Sequence, residues 1–357
     1  MHFVSPLYAE AELRAREHRS NHAFAEAAGS AKQAAEIARR DGDSASWWNM
    51  TFLQAENLLD AERFEECADL ATELISGLDH QPNPHDQARA HILLAKARQG
   101  AGLLEEAAQS ALIAVDLTPG EMDLDINIKA RQALISALAD GGRLDSAWKE
   151  SKLLAEVISE EVEDQLAGKA YWVIGNVAFL CDKVQEGLKY HEHAAATFSP
   201  AKNLDVWAKF NKASAAMRLA ANIADADTLR CIERAELATD IIGGSANDRM
   251  LLKLNRAHWS LLAGEPVAAI QLLQDFPGRN DLLMPQRAGE ACFLLGRAYV
   301  ATGDRVRARE SLAKSADHFD ASGAPHRAQQ ARDFLKSELG RGSFWSWLVR
   351  VTGFDRT

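Results

Sequence analysis

Between residues 7 and 339, apolar side chains recur at the three- and four-residue spacing of a helix face. Clusters of Gly, Pro, Asn and Asp interrupt them at regular intervals. The pattern predicts helices in pairs, at about 7–19 and 23–39, 44–59 and 63–78, 86–99 and 103–117, and 123–139 and 144–159. Further pairs follow at about 163–181 and 184–198, 204–221 and 227–242, 247–263 and 267–274, and 286–302 and 306–321. A single helix over about 325–339 then covers the last pair. Period-two stretches rich in Val, Ile and Thr are missing, so strands are not expected.

A second periodicity lies over the first. A bulky residue stands three positions before a small one at Phe24/Ala27, Phe64/Cys67, Leu104/Ala107, Leu144/Ala147 and Val184/Gly187. Successive small residues are 40 apart. The beat slips around Cys231, then returns at Ala269 and Ala308, 39 apart. A fixed period in this range marks a stacked array, in which no unit can bury its apolar face alone.

Two units carry a more specific pattern. One reads Leu295-Gly296, Tyr299, Gly303, Ala308; another reads Leu94-Ala95, Gly102, Ala107, Pro119. They resemble the tetratricopeptide repeat, in the long-repeat form found in peptide-sensor and adaptor domains. HEAT-type helical repeats share the period and are the alternative. The resemblance implies an all-α fold, a right-handed α-solenoid of about eight helix pairs with a capping helix. It would form one elongated domain over residues 1–339, followed by an amphipathic tail over 340–357. It further implies a non-enzymatic protein that holds a protein or peptide in its concave groove, as a peptide-responsive regulator. The alternative is a structural adaptor that uses its tail and acidic half as fixed interfaces.

Charge changes this picture little. The net charge is −11, and an acidic total argues against general nucleic-acid binding. Acidity is concentrated: residues 43–165 hold 24 acidic and 9 basic side chains. Four dispersed cysteines without CxxC spacing read as buried thiols of a reducing cytoplasm. No basic, then apolar, leader opens the chain, and no apolar run is long enough to span a bilayer. No phosphate-binding loop, nucleophile elbow or metal-ligand spacing occurs, so neither a cofactor nor a metal is expected.

In such repeats the first helix of each pair lines the groove. Trp172 and Asn176, Trp207 and Asn211, and Leu251 and Asn255 are i,i+4 pairs on first helices of repeats five to seven. Stacked, the three asparagines would present amides to a peptide backbone. Lys169, Lys212, Lys253 and Arg256 on the same helices would meet a carboxylate. Alternatively these side chains solvate an inner face while the tryptophans fill the core. The tail places Phe344, Trp347, Leu348 and Val351 on one helical stripe beside Trp345. That stripe suits docking in cis, a homodimer contact, or a partner surface.

Overall fold

In the computed structural model every regular element among the described residues is an α-helix. Residues 6–77, 83–119, 124–274 and 285–352 are described, with side chains as far as 338. The helices form two compact units, Met1–Phe198 and Ser199–Thr357. The first contains α1 (Pro6–Ser20), α2 (Phe24–Arg40), α3 (Ser44–Asp60), α4 (Phe64–Ser76), α5 (Pro84–Gly100), α6 (Leu104–Leu117), α7 (Leu124–Asp140), α8 (Leu144–Val157), α9 (Asp164–Leu180) and α10 (Val184–Thr197). The second contains α11 (Leu204–Ala220), α12 (Ala226–Ile242), α13 (Ala246–Leu262), α14 (Pro266–Leu273), α15 (Pro285–Ala301), α16 (Arg305–Ala321) and α17 (Pro325–Thr352). Within each unit a helix packs mainly on its sequence neighbours. First helices also pack on first helices: α5 on α7, α7 on α9, and, in the second unit, α11 on α13 and α13 on α15. This is the expected all-α helical-repeat fold.

Local chemistry explains the beat. The turn inside each pair of the first unit passes through one left-handed residue: His22, Glu62, Gly102, Gly142 or Asp182. The following N–H reaches back five residues, as from Arg63 to the Leu58 carbonyl and from Leu103 to the Arg98 carbonyl, each 2.8 Å. This closes the exposed end of the first helix. Glycine takes the left-handed conformation freely; Glu62 and Asp182 hold it against a steric cost. The second helix then opens on the bulky residue. Phe64 lies over Gly100 of the next pair, where an added Cβ would meet its ring at 2.4 Å. The small residue three positions on is fully buried at Ala27, Cys67, Ala107 and Ala147. At Gly187 a Cβ would come within 2.7 Å of the Phe179 ring, so the small side chain sets the helix separation.

The slip in the sixth pair has a structural cause. Asn222 is left-handed like its counterparts, but α12 begins at Ala226, two residues later than the pattern of Asp182 and Val184 requires. The beat position falls on Thr228, fully buried, rather than on half-buried Cys231. Thr228 lies 41 residues after Gly187 and 41 before Ala269. The longer turn presents Asp225, which accepts from the Thr228 N–H at 2.8 Å and from its hydroxyl at 2.8 Å. Asp225 also stands 3.7 Å from the Arg218 guanidinium, whose side chain is only 6% exposed.

At the end of the chain α17 stays helical through Gly340 and Gly342 to Thr352, beyond the helix over about 325–339 that the sequence pattern predicts. The side chains of Phe344, Trp345, Trp347, Leu348 and Val351 lie outside the described residues.

Candidate binding groove of the first unit

A trough of about 650 Å³ runs over the first helices of the first unit. Arg19 of α1, Phe52 and Glu56 of α3, and residues of α5, α7 and α9 line it. At the α3 side, Trp48 and Phe52 stack with ring centroids 5.1 Å apart. The Arg89 guanidinium rests on both rings, 4.9 Å and 4.3 Å from their centroids. Such stacking fixes a planar cation while leaving its N–H edge able to donate. Its partner Asp86 is 3.4 Å away. Arg19 is engaged, bonded to Asn57 at 2.8 Å and paired with Asp60 at 3.2 Å.

Where α5, α7 and α9 line it, the trough holds Lys96, Lys129 and Lys169. All three reach water. Among the described residues none of them has a carboxylate at ion-pair distance, although acids outnumber bases strongly in this stretch. Surrounding protein withdraws water from Lys96, and the charges of Lys169 and Lys129 add to that effect. Together they hold its ammonium below the ordinary lysine range, against the opposing pull of Glu56 and Asp60. Its side chain remains accessible, so this is the desolvation of a trough floor and not of a core. Nearby, the Gln165 Nε2 is buried without a partner among the described residues.

The residues singled out in repeats five to seven fare differently. In the first unit, Asn176 places its Oδ1 3.1 Å from the Nε2 of buried His191. Trp172 meets Phe198 edge-on at 6.4 Å, and Lys169 opens into the trough. In the second unit, Asn211 is 1% exposed and donates to the Trp207 carbonyl at 2.8 Å. Asn255 donates to the Lys212 carbonyl at 3.0 Å. Trp207 lies 5.9 Å from the Arg234 guanidinium. Lys212 pairs with Asp248 at 2.5 Å and Arg256 with Glu236 at 2.5 Å. Lys253 is exposed. Asn211 is therefore buried away from any groove ligand. The Asn211 amide bonds its own helix one turn back, and the Asn255 amide ties α13 to α11.

Comparison with known proteins places the fold. No protein-family model and no curated protein matches the chain. Solved structures do match, 47 chains in all. One is the crystal structure of aspartyl phosphate phosphatase F from Bacillus subtilis. It is 12% identical, with a TM-score of 0.52, over 87% of this chain and 75% of that one. Another, the structure of Naa15/Naa10 bound to HypK-THB, is 13% identical with a TM-score of 0.23. That match spans 93% of this chain and 63% of that one. At such identity the first similarity shows a shared helical-repeat fold and carries no activity with it.

The groove cations were readable in the sequence. Arg89, Lys129 and Lys169 are spaced by 40 residues, the period of the repeat, and each is the sixth residue of its helix. Following the beat in polar positions as well as in small ones would have found them.

Proposed function

We propose that the chain is a non-enzymatic, tetratricopeptide-type repeat protein that holds an extended protein or peptide segment along its first helices. The observation that carries this reading is the trough across α1, α3, α5, α7 and α9, holding three lysines with no ion pair among the described residues. Repeated first helices give a regular, preformed surface, and a preformed surface avoids much of the ordering cost of binding. Among the described residues no cluster of three or more His, Cys, Asp or Glu could hold a metal. No described helix is long and apolar enough to cross a membrane. A cytoplasmic, peptide-responsive regulator is the form of this reading we favour.

The second reading is an adaptor or assembly subunit that docks, or dimerises, through its C-terminal tail. It rests on the apolar stripe of Phe344, Trp347, Leu348 and Val351. Affinity purification with mass spectrometry separates the two. We expect a partner recovered with the full chain to persist after removal of residues 340–357 and to disappear with Lys129→Glu/Lys169→Glu. Loss on tail removal alone would favour the adaptor.

A further inference from the structure

We infer that the trough of the first unit selects an acidic, extended segment whose carboxylates recur at about every third residue, received by the ladder of Arg89, Lys129 and Lys169 with Lys96 beside it. The inference rests on the groove-binding reading above and specifies its partner. Three observations lead to it.

First, the cations are in register. Each of Arg89, Lys129 and Lys169 is the sixth residue of its helix, and α5, α7 and α9 pack side by side. All three line one trough. Packed helices lie about 8–10 Å apart, so the ladder rungs share that spacing. An extended chain advances about 3.3 Å per residue. Three residues therefore carry it from one rung to the next.

Second, Arg89 is answered by Asp86 at 3.4 Å, but the three lysines have no ion-pair partner among the described residues. Residues 43–165 hold 24 acidic side chains, yet none forms an ion pair with Lys96, Lys129 or Lys169 among the described residues. Several arginines of this unit are answered, among them Arg131 by Glu150 at 2.8 Å and Arg143 by Glu105 at 3.0 Å. Like charges gathered in one trough repel one another, and an incoming anion relieves that repulsion.

Third, acids are interleaved with the cations that share the trough. Glu56 and Asp60 belong to α3, while Asp125 and Glu163 lie at the starts of α7 and α9. Interleaved acids disfavour a long uniform polyanion and favour carboxylates that are spaced apart.

The test uses the full chain and fluorescent twelve-residue peptides of Ser and Gly. One carries glutamate at every third position, one carries glutamine there, and one carries the same glutamates in a single block. Fluorescence anisotropy at low salt should show the spaced glutamate peptide binding at least tenfold more tightly than the glutamine peptide. It should bind several-fold more tightly than the block. Lys129→Gln/Lys169→Gln should weaken it at least tenfold. Lys149→Gln/Lys152→Gln on α8, with the same change in net charge, should not. Thermal melting of each variant establishes that it is folded. Equal binding of the glutamate and glutamine peptides would overturn the acidic preference and leave groove binding standing. Equal loss in the two lysine pairs would reduce the effect to net charge and overturn the ladder. Absence of binding by all three peptides would also overturn it, while partner capture through the groove would still stand or fall on the purification experiment.

Discussion

His258 is largely enclosed on α13, and its Nε2 is buried without a hydrogen-bond partner among the described residues. Burial, then the charges of Arg297 and Arg327, push its pKa down to about 4. Arg327 is itself paired with Glu290, so the pocket is not wholly cationic. An unfolded histidine titrates near 6.5. Between those values the unfolded chain binds a proton that the folded chain refuses, so stability falls as pH drops from about 6.5 to about 4. The loss should approach about 3 kcal/mol at most, from about 1.4 kcal/mol per pH unit. Asp248 acts elsewhere. Burial raises its pKa, but Lys212 and Ser245 more than offset this and bring it to about 2. Its contribution is therefore lost only below the histidine window. Urea denaturation at pH 7, 5.5 and 4.5 checks the assignment. His258→Gln should flatten the decline in that range, and an unchanged slope would remove His258 as its source.

The helix α12 depends on Asp225 in two ways. It caps the helix through Thr228, and it faces the buried Arg218 guanidinium. Burial opposes its ionisation, yet the Thr228 bonds and Arg218 still hold its carboxyl below the usual range. Losing a cap costs about 1 kcal/mol, and leaving a buried charge unanswered costs more. Because Asp225 is half exposed, we expect Asp225→Ala to cost about 2–3 kcal/mol in chemical denaturation, within those same ranges. Asp225→Ser should recover about 1 kcal/mol by restoring the cap alone. Identical losses would show that the cap contributes nothing. The same helix marks where sequence reading stopped. Pair boundaries were legible because Gly, Asn and Asp punctuate apolar runs, and the second helices of the first five pairs do open on the bulky beat residue. Thr228 escaped because its hydroxyl makes it look like a surface residue, whereas Asp225 and the Ile223 carbonyl satisfy that hydroxyl inside. Asn211 and Asn255 illustrate the converse. A polar residue on a first helix looks like a groove residue, but the Asn211 and Asn255 amides bond backbone carbonyls. No spacing rule distinguishes those outcomes, since both depend on what the neighbouring helix presents.

A helical-repeat chain distributes its stability along its length, because each pair is held mainly by the pairs beside it. The buried cluster around Ala107 joins α5, α6, α7, α8 and α9 of the first unit. That around Ala308 joins α13, α14, α15 and α16 of the second. A beat residue is thus a local control on stability. Ala107 is fully buried where α6 meets its neighbours, so Ala107→Leu overfills that site at a cost of about 1–3 kcal/mol. Amide hydrogen exchange should then show protection falling in α5, α6 and α7, with α15 and α16 little changed, because local opening samples contiguous cooperative units. A uniform loss along the whole chain would mean that the array unfolds as one body. The acidic ligand proposed above should act on the same helices in the opposite sense. Bound across α5, α7 and α9, it would bridge neighbouring pairs and raise protection there first, so the region most sensitive to Ala107→Leu is also the one a ligand should steady.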